Sequence, residues 1–141
     1  MKTITYQTDK NHSSTIQKYG CLFKSIAYFS KKDVSVEEQN SIWDRLVRSG
    51  AISLDSVILN HDAVAKALGA DIEYLDAHFP PDTPIPTNCV AIGCFKWKYT
   101  HFVVLDRNKN VLYDPIPNSN TVKNGRLISL RLYKIKKGCK V

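Results

Sequence analysis

Four prolines crowd the stretch from 80 to 86 (Pro80, Pro81, Pro84 and Pro86), and no regular element can run through them. Proline lacks the N–H that a helix interior or central strand needs, and it holds the preceding residue extended. The segment from His78 to Asn88 is therefore expected to be a stiff surface connection. It separates two stretches of different hydrophobic period.

Before the prolines the period is helical. Leu22, Ile26 and Phe29, with Phe23 and Ala27, form one apolar stripe, which predicts a helix over 16–29. Gly20 marks the turn into it and places Cys21 in its first turn. Ser35-Val36-Glu37-Glu38 is a capping box ahead of Ile42, Trp43, Leu46 and Val47, and Gly50 closes that second helix. A third helix is expected over 61–68, between Asn60 and Gly69. Residues 52–59 are ambiguous.

Asp71 to Leu75 alternates like a strand, and strands dominate after the prolines. They are expected at 89–97, 100–106, 111–114 and 127–136. Arg107-Asn108-Lys109-Asn110 turns the middle two into a hairpin. Helices followed by an antiparallel sheet make an α+β fold. With 141 residues, 43% hydrophobic, the chain has material for one domain with a proper core, spanning 1–141 with 1–13 and 137–141 as loose ends. No apolar run approaches the ~20 residues of a membrane helix. The polar start, Met1 to Asp9, shows no secretory signal, so a cytoplasmic location with reduced thiols is expected.

The net charge is +7, and from Val122 to Val141 there are seven basic residues and no acidic one. A solvated, basic edge strand accounts for this better than a nucleic-acid surface, because no nucleic-acid motif accompanies the charge. Cysteines stand at 21, 89, 94 and 139, without metal-ligand spacing. Cys89 and Cys94 are an odd number apart in one strand, so they face opposite sides as small buried groups.

Three residues carry chemistry. Cys21 opens a helix, where exposed N–H groups favour a thiolate. His101 opens a strand, in His101-Phe102-Val103-Val104-Leu105. Asp114 closes the next, in Tyr113-Asp114-Pro115. If Asp106 pairs with Val111 across the turn, Val103 faces Asp114, and His101 lies diagonally on the same face. Diagonal neighbours lie at about 7–8 Å, within side-chain reach. A one-residue slip would send Asp114 to the other face. A thiol, an imidazole and a carboxylate in that order are the parts of a nucleophile, its base and the group that orients the base.

These motifs resemble papain-like cysteine peptidases, and among them the peptidases that process double-glycine leaders of bacteriocins. The resemblance spans about residues 14–135 and includes the helix ending Ala63-Val64-Ala65-Lys66-Ala67-Leu68-Gly69. The chain also resembles a small domain family carried by phages and spirochaetes, which implies no chemistry. The peptidase resemblance implies a papain-like fold and a Cys21–His101–Asp114 triad cleaving a peptide amide, with no metal or organic cofactor. It departs from the pattern at two places. Leu22 follows the cysteine where glycine is common, and Thr15 stands six residues before it, where the family has its oxyanion glutamine. Gln17, four before, is the candidate for that role, beside the Cys21 N–H; Gln7 lies much further off.

The expected partner is a peptide or protein, with neither nucleic acid nor a membrane involved. Trp43, Phe95, Trp97 and Tyr99 are candidates to line a substrate groove, though helical spacing puts Trp43 in the core. The displaced glutamine supports a rival reading, a weak or inactive papain-like module that grips a phage or host protein. A cell-wall amidase or endopeptidase is a second rival.

Overall fold

A computed structural model describes residues 3–136. The expectations for the tail 137–141 and for Cys139 lie outside the described residues. The chain opens with 3–13, which form neither helix nor strand yet are pinned to the rest. The Gln7 N–H donates to the Pro115 carbonyl (2.9 Å), the Tyr113 hydroxyl donates to the Thr5 carbonyl (2.7 Å), and Gln7 and His12 are buried.

The helix expected over 16–29 is two helices, α1 (Ser14–Tyr19) and α2 (Cys21–Ala27), which meet at Gly20. The Gly20 N–H donates to the Ile16 carbonyl and its own carbonyl accepts from Lys24, each at 2.8 Å. A Cβ at Gly20 would stand 2.6 Å from the Ile16 oxygen, so the change of axis requires glycine. The apolar stripe did not register this break, because side-chain period carries no record of a backbone contact.

Helix α3 (Val36–Ser49) starts at Ser35, whose hydroxyl accepts from the Glu38 N–H, and stops at Gly50 in the left-handed region (φ 85°). It buries Ile42, Trp43 and Leu46. Helix α4 (His61–Leu68) is capped by Asn60. Residues 52–59 hold turns and an isolated bridge between Ile52 and Ile58.

Strands β1 (Ile72–Phe79), β2 (Cys89–Lys96), β3 (Thr100–Leu105), β4 (Val111–Tyr113) and β5 (Arg126–Ile135) make one antiparallel sheet in the order β1-β5-β2-β3-β4. The fold is α+β, with helices in the N-terminal half and the sheet in the C-terminal half. β1 runs to Phe79, so it takes in His78, and the proline connection begins only at Pro80. The basic last strand is not an edge strand: β5 lies between β1 and β2, hydrogen-bonded on both sides. Charge alone could not place it, since Leu130, Leu132 and Tyr133 are buried between the exposed basic residues. A short helix, α5 (Asn120–Asn124), was not foreseen.

Val90, Ile92 and Val104 face the helices and join Phe23, Trp43 and Leu68 in the main core. Ala91, Val103 and Leu105 form a second core on the other face, against Ile85 and Val122. Cys89 and Cys94 are both buried. Among the described residues, no helix is long and apolar enough to cross a membrane.

Candidate active site

Cys21 is the first residue of α2, and its position is set twice. Gly20 turns the chain into the helix. The Ser25 hydroxyl, one turn on, shares its single hydrogen between the Cys21 carbonyl (2.8 Å) and the Phe102 carbonyl (3.3 Å). That second contact ties the start of α2 to β3 beside His101. The thiol is half-buried and free.

In the hairpin Val104 pairs with Tyr113, the register expected from the sequence. The strand then bulges, so that Leu105 rather than Asp106 stands opposite Val111. Asp106 is drawn out of the ladder into the turn, where its Oδ1 accepts from the Asn108 and Asn110 N–H groups, both at 2.9 Å. The bulge is confined to the turn side, so Asp114 keeps its face.

His101 is 5% exposed. Its Nε2 and the Asp114 Oδ1 are 2.6 Å apart, and the Cys21 thiol stands close enough to the ring to raise its pKa. With Nε2 given to the carboxylate, Nδ1 is the nitrogen left for the sulfur. Burial alone would lower the pKa of His101; the bond to Asp114 and the nearby Cys21 outweigh it and push the value up to about 9. Asp114 is half-buried, which by itself would raise its pKa. His101, the Ser119 hydroxyl on Oδ2 (2.7 Å) and the Ile116 N–H on Oδ1 (2.9 Å) reverse that and hold the carboxyl below its ordinary value.

Gln17 gives its amide nitrogen to the His12 carbonyl (2.8 Å), and its own carbonyl accepts from the Gln7 side chain (3.0 Å). An amide nitrogen carries two hydrogens, so one donor of Gln17 is taken within the fold. The structure thus brings Cys21, His101 and Asp114 together and places Gln17 one turn before Cys21 with its side chain directed to His12. Thr15 borders a different hollow, with Asp44 and Ser53. Burial raises the thiol pKa of both Cys89 and Cys94, which disfavours their thiolates. Among the described residues no His, Cys, Asp and Glu side chains cluster as a metal site requires.

A model of the family described as "Protein of unknown function, DUF261" matches residues 2–135. The chain belongs to this family. No curated protein and no solved structure matches the chain.

Cys21 stands on the wall of a cleft of about 290 Å³, lined by Leu22, Trp43, Val57, Phe102 and Arg131 among others. Of the aromatic residues expected in a groove, only Trp43 borders it, and it is a core residue at the same time; Trp97 and Tyr99 are exposed elsewhere. Sequence reasoning missed Ser119, Ser25 and the basic wall of the cleft. Ser119 carried one signal, a helix cap three residues before Val122, whose N–H its hydroxyl accepts. His61, His78 and Arg131 carried none, because 70 residues separate the first from the last.

Proposed function

We propose that the chain is a papain-like thiol hydrolase that cleaves a peptide amide bond. One observation carries this reading: a single buried imidazole is held by a carboxylate and stands beside a half-buried thiol on the wall of a cleft. The thiolate is the nucleophile. His101 keeps its proton at neutral pH, because its pKa lies up to about 9. The sulfur adds to the amide carbonyl carbon and the C=O pair moves to oxygen. The carbonyl then reforms, the C–N bond breaks and His101 protonates the departing nitrogen, which leaves an acyl thioester on Cys21. The neutral ring next takes a proton from water. The resulting hydroxide adds to the thioester, the C–S bond breaks, and the acid leaves with thiolate and imidazolium restored. Asp114 fixes the ring and its tautomer throughout.

The Cys21 N–H and the second amide hydrogen of Gln17 are the oxyanion donors in this scheme. A second reading, a binding module on the same scaffold, draws on the engagement of Gln17 by His12. Removing one oxyanion donor typically costs about 2.7–4 kcal/mol of transition-state stabilisation.

Alkylation with iodoacetamide, followed by peptide mapping, separates the two. The hydrolase requires Cys21 to react fastest, well ahead of Cys89 and Cys94, and to slow at least about tenfold in His101→Ala. An undiminished rate in that variant, or equal rates at the mapped thiols, rejects the hydrolase in favour of the module.

A further inference from the structure

The cleft beside Cys21 combines two kinds of lining. Leu22, Phe23, Val57, Ile58 and Phe102 are apolar. Arg131, His61 and His78 are nitrogen bases, and no Asp or Glu lines the cleft among the described residues. Of these bases His61 is uncharged at neutral pH. Its burial, and then the nearby Arg131, push its pKa down to about 4, and its Nδ1 pairs with the Tyr133 hydroxyl (2.8 Å).

Arg131 is the fixed cation of the cleft. Its guanidinium lies over the Phe102 ring, 5.2 Å from the centroid. It donates to the Ser129 hydroxyl (2.9 Å) and has no carboxylate partner among the described residues. A guanidinium has five N–H donors in a planar fork suited to a carboxylate. Phe102 directly follows His101, so the stacked arginine is anchored one residue from the candidate base. A half-buried arginine that a strand orients and an aromatic ring supports, with Asp62 and Asp76 in its surroundings but no carboxylate in salt-bridge contact among the described residues, is arranged to meet an anion from outside.

We propose that the cleft selects peptides in which an apolar side chain lies within two residues of a glutamate or aspartate, with the acid on Arg131. This rests on the hydrolase reading and names its substrate class. The apolar lining takes the hydrophobic residue, and the acidic side chain pairs with the guanidinium stacked beside it on Phe102.

The test uses fluorescent octapeptides with a fixed leucine or phenylalanine and Glu, Gln or Lys scanned through the neighbouring positions. Binding is read by anisotropy on Cys21→Ala, and cleavage on the parent protein. At the best position the Glu peptide should bind about tenfold more tightly than its Gln counterpart, the scale of one charge-assisted hydrogen bond. That ratio should fall to about one in Cys21→Ala/Arg131→Gln, survive in part with Arg131→Lys, and invert towards the Lys peptide with Arg131→Glu. Thermal melts establish that each variant is folded, and the Lys variant keeps the test open if Gln or Glu does not fold. Equal binding of Glu and Gln peptides at every position, or a ratio unmoved by the Arg131 variants, overturns the inference. Cleavage without charge preference defeats it alone, whereas charge-selective binding with no cleavage of any peptide defeats the hydrolase and leaves the selectivity standing.

Discussion

Asp114 accepts three hydrogen bonds, and two of them come from groups other than His101. These two matter because burial works against a charged carboxylate, and without compensation it would also weaken the carboxylate's hold on the imidazolium. In the proposed hydrolase Ser119 would be a positioning residue that acts through Asp114. Ser119→Ala should move the titration of the Asp114 carboxyl, followed by the NMR shift of its carboxyl carbon, to higher pH, and Ser119→Thr should restore it. A midpoint unchanged in the alanine variant would reduce Ser119 to a cap for α5. Loss of that cap accounts for about 1 kcal/mol of stability in either case.

At the scale of elements, the junction of α1 and α2 decides where the sulfur stands. A methyl group at Gly20 would meet the Ile16 oxygen at 2.6 Å and the Ile16 Cγ2 at 2.7 Å. Backbone cannot yield as a side-chain tip can, so the two helices must part. Gly20→Ala should cost about 1–3 kcal/mol in denaturant unfolding and slow alkylation of Cys21. Gly50→Ala is the control. There φ is 85° and nothing lies within 4 Å of the added Cβ, so the strain is local, about 1–2 kcal/mol, and the Cys21 rate should hold. If both variants leave that rate unchanged, the junction does not position the nucleophile. The β3–β4 hairpin makes a related point. Its bulge absorbs the turn without rotating Asp114 off its face, because the irregularity lies between the turn and Val104.

Across the whole molecule, two buried bases oppose each other in the pH dependence of folding. His101 has a folded pKa of about 9 against 6.5 unfolded, so its stabilisation is complete below about 6.5 and is lost as pH rises through 9. Lys24 is 1% exposed, with its ammonium held by the Thr5 hydroxyl and the Gln39 amide oxygen, each at 2.7 Å. Burial lowers its pKa from 10.5 to about 8. The unfolded chain binds that proton more tightly, so the Lys24 penalty is complete below about 8 and is relieved between 8 and 10.5. Urea midpoints should therefore fall from about pH 7 to 8, where His101 acts alone of the two, and then level. His101→Gln should abolish the fall, and Lys24→Met should let it continue towards pH 9. A fall that persists in His101→Gln would mean that the ring has no raised pKa in the folded protein.

The sequence by itself determined α3, α4, the strands after the prolines and the hairpin that sets Asp114 beside His101. Each of these depends on contacts a few residues apart, which leave a period, a cap or a turn in the order of side chains. It also placed Cys21 at the start of a helix through Gly20. Only the tertiary structure decided that α2 lies against β3, that the basic strand sits inside the sheet, and that Arg131 shares a cleft with Cys21. Those placements come from packing two apolar surfaces whose members are scattered along the chain. A buried Lys24 in α2, and a serine behind the aspartate, follow from that packing and have no local signature.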